Sequence, residues 1–190
     1  CWTRLQTSNN YLWMAGPPSL GSLNSGPADD HTPGNGGGYA VAEGWFTGST
    51  TTNATVTHLV TPPIDLSNDS LPRLIFYYHM YGQSTGKLMV QAKKGNKWSI
   101  VWSIEGQSQR SGAEPWHQGG VNLPAGTTQV RFVATKGGTS AWNNWQGDIS
   151  LDTVTFSKSG YKAPKCKCVG GSVVTGPRCT ANGRTMCYGC

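Results

Sequence analysis

The sequence predicts an all-β protein, a jelly-roll-type antiparallel β-sandwich with a small C-terminal disulfide-rich extension. Three observations point there. Short β-branched and aromatic runs recur, divided by Gly- and Pro-containing turns, as at residues 55–60 before Pro62-Pro63 and 74–81 before Gly82. No stretch carries the apolar period of an amphipathic helix. Charged residues make up only 13% of the chain, against 26 glycines and 8 tryptophans, which fits a compact, turn-rich protein and not a disordered one. The 190 residues accommodate one sizeable domain, residues 1–157, and an appendage, residues 158–190.

Taken in order, residues 1–38 open with Trp2 and Trp13 and pass into a Gly/Pro/Ser run over 16–38 that carries Asp29-Asp30-His31-Thr32. A loop of that length in a compact domain is functional or pinned down by something. Residues 39–46 and 55–60 read as strands, the second stopped by Pro62-Pro63, which a central strand does not tolerate. Residues 74–81 are the most continuously apolar segment and fit a strand buried on both faces, with His79 as a hydrogen-bonded structural histidine. Residues 87–93 and 97–105 form a hairpin around Gly95-Asn96. Leu88, Val90 and Ala92 share one face of its first strand, and Trp98, Ile100, Trp102 and Ile104 share one face of its second. That stripe reads as core and not as a binding platform. Residues 106–113 form a loop, 116–123 and 129–135 are strands, and 136–146 is a polar loop holding Trp142-Asn143-Asn144-Trp145.

The last strand, 147–156, alternates Ile149 and Leu151 against Asp148, Ser150 and Asp152. After Asp152 the apolar parity changes to Val154 and Phe156, which predicts a β-bulge or a change of partner. Two carboxylates beside such a break serve as a solvated face or as a cation site.

Residues 1–157 hold nine Lys/Arg and nine Asp/Glu, so the net charge of +6 lies wholly in the tail, in Lys158, Lys162, Lys165, Lys167, Arg178 and Arg184. A basic tail suits a solvated extension or an acidic polysaccharide; nucleic acid is not expected, since no helix or aromatic-basic groove accompanies the charge. Five of the six cysteines, Cys166, Cys168, Cys179, Cys187 and Cys190, fall in that tail. Their density indicates disulfides and an oxidising compartment, a zinc knuckle being the competing reading. Cys1 is the one candidate partner in the chain for the odd tail cysteine; alternatively both pair with neighbouring chains. Asn53 and Asn68 head glycosylation sequons, in keeping with secretion. No segment approaches the roughly 18 apolar residues a membrane helix needs, so no membrane insertion is expected. Starting at Cys1 and ending at Cys190, the chain reads as a piece of a longer secreted protein.

Several stretches stand in a telling order: the Trp13 region, Ser25-Gly26-Pro27 with Asp30-His31-Thr32, and Thr61-Pro62-Pro63-Ile64-Asp65-Leu66. They continue with residues 76–88 from Phe76-Tyr77-Tyr78-His79-Met80-Tyr81-Gly82, then Leu123-Pro124, Val130-Arg131-Phe132, Lys136-Gly137-Gly138 and Gly147-Asp148-Ile149-Ser150-Leu151-Asp152. Taken together, they resemble a MAM domain, an extracellular module of meprins, neuropilins and adhesion-type receptor tyrosine phosphatases. The resemblance implies a jelly-roll sandwich that mediates adhesion or oligomerisation without catalysis of its own. It also implies a structural Ca²⁺ held by Asp30 and Asp152, with Asp148 next in line, pinning the Gly-rich loop to the last strand. Without a cation, Asp30 and Asp152 would cap turns. The tail is similar to a fragment of a short cysteine-rich, loosely EGF-like repeat.

Enzyme motifs are missing: there is no His-Glu-x-x-His, no Gly-x-Ser-x-Gly and no phosphate loop. Glu105 and Glu114 flank a Gly/Ser/Gln loop without a cleft signal, which argues against a glycosidase pair. The expected function is a non-catalytic extracellular adhesion or assembly module, partnered by itself or by other extracellular proteins. The alternative is a carbohydrate-binding module that stacks Trp142, Trp145 and Trp116 on a sugar.

Overall fold

A computed structural model describes residues 2–6, 11–16, 24–32, 37–43, 55–66, 71–137 and 145–157, together with three short tail strands. Ten strands build the body: β1 (Thr3–Gln6), β2 (Trp13–Gly16), β3 (Tyr39–Ala42), β4 (Val56–Val60), β5 (Arg73–His79), β6 (Lys87–Lys94), β7 (Lys97–Glu105), β8 (His117–Asn122), β9 (Gln129–Thr135) and β10 (Ile149–Ser157). They form two five-stranded antiparallel sheets, the first in the order β1-β4-β9-β6-β7 and the second β2-β3-β10-β5-β8. Successive strands cross between sheets except in the pairs β2–β3 and β6–β7, which is the jelly-roll-type sandwich the turn spacing predicts. In the tail β11 (Cys166–Cys168) pairs antiparallel with β12 (Val173–Val174) and parallel with β13 (Thr185–Met186).

The inward faces interdigitate around aromatic rings. Phe76 meets Phe132 and Trp102 edge-on, each at 5.0 Å between centroids, and Tyr78 meets Trp102 at 5.4 Å. Leu74, Leu88, Val90, Val130, Ile149 and Leu151 fill the remainder. Each such edge-to-face pair adds about 1 kcal/mol beyond the area it buries. Gly119 lies opposite Phe76 on β8, and a Cβ there would enter the phenyl ring.

Two expectations need correction, and two strands are added. Strand β5 alternates in burial and is not buried throughout; Ile75 and Tyr77 on its outer side are half-buried, and the strand stops at His79. The stripe on β7 is split: Val90 pairs with Trp102 but Gln91 pairs with Ile100, so Val101 is an extra residue. Trp102 and Ile104 pack in the core, whereas Trp98 and Ile100 turn to the outer face, with Ile100 58% exposed. In addition, β1 and β2 lie in residues 1–16, for which the sequence predicts no element. Both are four-residue strands on sheet edges, too short to display a period. The bulge in β10 is present: register with β5 shifts between Asp152 and Thr155, which lets Val154 and Phe156 pack on the core.

Candidate functional site

Residues 24–32 lie as a strap across the outer face of the second sheet. Positive φ at Asn24 (58°) and Gly26 (72°) turns the chain onto it. At the start of the strap Gly26 N–H and Ser25 Oγ both donate to Tyr81 O, at 2.9 and 3.1 Å. Ser25 Oγ also accepts from Asp148 N–H at 3.0 Å. Ala28 N–H donates to Gly112 O at 2.8 Å.

The far end is fixed by the bulge of β10. His31 N–H donates to Asp152 Oδ2 at 3.1 Å, and the His31 ring stacks on Tyr77 with centroids 3.5 Å apart. Thr153 takes φ of 48°, and its Oγ1 meets His31 Nδ1 at 2.9 Å and Thr32 Oγ1 at 3.2 Å. A β-branched residue in that region costs about 1–2 kcal/mol, which these contacts offset.

Trp116 is the hub of the site. Its Nε1–H donates to Asp29 O at 3.0 Å, and its ring stands edge-on to Tyr39 at 5.4 Å and His79 at 5.7 Å. His79 is fully buried, and burial pulls its pKa down to about 4, so the ring is neutral at physiological pH. The Glu114 backbone offsets part of that shift, yet neither ring nitrogen has a hydrogen-bonding partner of normal geometry, so His79 is structural by packing and not by bonding as expected.

The three aspartates have separate surroundings. Asp152 spends Oδ2 on His31 N–H and Oδ1 on its neighbour's Thr153 N–H. Asp148 is completely buried in a group with Glu43 and Lys136, each 2% exposed. Burial lowers the Lys136 pKa to about 8, and the two carboxylates hold it from falling further. The same carboxylates add to burial in raising Tyr11 and Tyr39. Asp30 faces Gly37, where a Cβ would overlap its carboxylate, and its buried Oδ1 has no partner. Among the described residues no three His, Cys, Asp or Glu side chains gather as metal ligands. Hydrogen bonds and ring stacking join the loop to the last strand through His31, Thr32 and Thr153.

Of the remaining expected sites, Trp145 is half-buried and already engaged. Trp142, Cys1, Cys179, Cys187, Cys190, Asn53 and Asn68 lie outside the described residues, and Cys166 and Cys168 are placed only as backbone in β11. Glu105 pairs with Lys87 at 2.9 Å on the first sheet, while Glu114 accepts from Arg110 N–H at 3.0 Å in the turn before β8 of the second. His31, Tyr77, Thr153, Glu43 and Lys136 were not singled out from sequence. The one local signal for them is the parity break at Asp152-Thr153; the others meet only in three dimensions.

The described residues form an all-β sandwich with a strap pinned over one sheet by its own polar groups. The chain belongs to the MAM family: the family model "MAM domain, meprin/A5/mu" matches residues 1–167. It is 36% identical over 87 residues to the MAM domain-containing glycosylphosphatidylinositol anchor protein 1 of Gallus gallus, covering 44% of this chain and 8% of that protein. It is 26% identical over 155 residues to Neuropilin-1a of Danio rerio, covering 79% of this chain and 15% of that protein. The chain thus spans a small part of the relatives it matches. In fold it is similar to the K1 cleaved adhesin domain of Lys-gingipain from Porphyromonas gingivalis W83, with a TM-score of 0.54 and 19% identity over 84% of this chain and 91% of that one. Among the described residues no helix is long and apolar enough to cross a membrane.

Proposed function

We propose that the chain is a non-catalytic extracellular association module, part of a larger modular or filamentous glycoprotein, that brings copies of itself together. One observation carries this reading. On the second sheet Asp152, His31, Thr153, Ser25 and Trp116 spend their polar groups on one another or on backbone, which builds a fixed surface and not a reaction cleft. Membership of the MAM family and a relative named as a glycosylphosphatidylinositol anchor protein support a place outside the cell. In this reading the six cysteines form disulfides, the tail is a cysteine-rich repeat fragment, and Asn53 and Asn68 are glycan acceptors. Sedimentation velocity of the full chain over a wide concentration range tests it, in the presence and absence of reductant. Reversible species larger than the monomer are expected; a monomer throughout contradicts it.

Carbohydrate binding is the second reading, favoured by the partly exposed Trp145 at the mouth of the loop before β10. In this reading Trp116 would stack by a ring face, its N–H being bonded to Asp29 O and its ring standing edge-on to Tyr39 and His79. A glycan array signal abolished by Trp142→Ala with Trp145→Ala would establish it; a blank array removes it.

A further inference from the structure

We infer that copies of this chain associate face to back: the basic hairpin end of the first sheet in one copy docks on the acidic strap over the second sheet of the next. This rests on the proposed self-association and names its surfaces.

The body is electrically neutral, yet its exposed charge is segregated. On the first sheet the β6–β7 hairpin end gathers Lys93, Lys94 and Lys97, and Arg131 lies beside them on β9. The Arg131 guanidinium covers the Trp98 ring at 4.3 Å and donates through Nε to Gln91 Oε1 at 2.7 Å, while Lys93 Nζ reaches Gln129 Oε1 at 3.2 Å. These groups are held by the sheet and lose little freedom on docking. Beside them Ile100 offers an apolar contact, 58% exposed. Among the described residues the acids on this side are Glu105, neutralised by Lys87 at the far end of the hairpin, and Asp65, whose neighbour Ile64 donates its N–H to Thr128 O beside Lys93, so one acid stands next to the four basic groups.

On the opposite side of the sandwich, Asp29, Asp30 and Asp152 belong to the strap and its anchor, and Glu114 lies in the turn leading to Trp116. Arg110 and, on β5, Arg73 are the counter-charges among the described residues there, so acid predominates. Glu43 and Asp148 are buried and contribute to the field without being touched.

Complementary charge on opposite faces makes the contact heterologous: each copy uses one face and leaves the other open. Such contacts give chains of copies instead of closed pairs. Opposite charge also steers encounter and gives it a strong salt dependence.

The test uses light scattering on the full chain with two charge-reversal variants. Lys94→Glu with Lys97→Glu makes the hairpin end acidic; Asp29→Lys with Glu114→Lys makes the strap end basic. Lys94 and Lys97 are exposed at a hairpin tip, so the first variant leaves the core untouched and stays decisive if the second fails a melting check. Each variant alone should associate at least about tenfold more weakly than the parent. An equimolar mixture of the two should regain association, because every contact is then complementary again. Loss of association in high salt should accompany it. If the parent associates but neither variant weakens it, the docking faces are wrong while self-association stands. If the parent remains a monomer, self-association itself falls. If the parent binds a sulfated polysaccharide through Lys94 and Lys97 and does not self-associate, the basic end is a glycan site and the face-to-back contact is overturned.

Discussion

Acidification from pH 7 to 4.5 should destabilise this fold through His79, and the size of the effect follows from its burial. The ring is fully enclosed beneath the strap against Trp116, and its pKa falls from 6.5 to about 4. Because the folded value lies below the unfolded one, the unfolded chain binds the extra proton first. Stability is therefore complete above the unfolded pKa and falls as pH drops from 6.5 towards 4. At 1.36 kcal/mol for each pKa unit, the loss attributable to this ring by pH 4.5 is about 2–3 kcal/mol. His58, whose pKa is also lowered by burial and by Arg131, acts in the same direction, so the comparison must be with a variant. His79→Met fills similar space with an adaptable side chain that does not titrate. Urea denaturation of parent and variant at pH 7 and 4.5 measures the difference. The parent should lose about 2–3 kcal/mol more than the variant; equal losses would refute the assignment of a neutral, enclosed histidine.

Four further outcomes follow from the same geometry. Asp152→Ala removes the acceptor of His31 N–H, so stability should fall by about 1–3 kcal/mol and amide exchange should quicken at His31 and Thr153 before the core. Since Asp152 is satisfied by backbone N–H groups, we propose that the strap needs no cation. The melting temperature should be the same in Ca²⁺ and in chelator, and a rise with Ca²⁺ would contradict this and point to Asp30 and Asp152, with Asp148 next, as ligands. Lys136→Met leaves Glu43 and Asp148 buried without their ammonium and should cost about 3–5 kcal/mol in denaturant titrations at pH 7. Gly82→Ala puts a Cβ into Gln146 O at a φ of 138°, so it should destabilise far more than an alanine at the open Gly95 turn, as compared by melting.

Strands β6 and β10 stand where their alternation puts them, and β5 and β9 where β-branched and aromatic runs put them, although β5 alternates in burial where its continuous apolar run suggested two buried faces. The break after Asp152 announced a bulge because the face change is written in consecutive residues. The bulge at Val101 was hidden for the opposite reason. Trp98, Ile100, Trp102 and Ile104 keep a perfect alternation, and only pairing with β6 shows that two of them point outward. The strap was recognisable as a loop that something must pin. What pins it was not, since Trp116 and Asp29 are 87 positions apart and His31 and Asp152 are 121 apart. Burial of Lys136 with two carboxylates likewise depends on the sandwich closing, and a lone lysine before two glycines gives no hint of it.

The central claim, that this domain brings molecules together and does no chemistry on them, is tested most directly by bead clustering. Beads coated with the full chain multiply a weak contact by avidity. They should clump in a manner that free chain inhibits and high salt reverses, while uncoated beads stay apart. Coated beads that remain dispersed at every coating density would contradict the account.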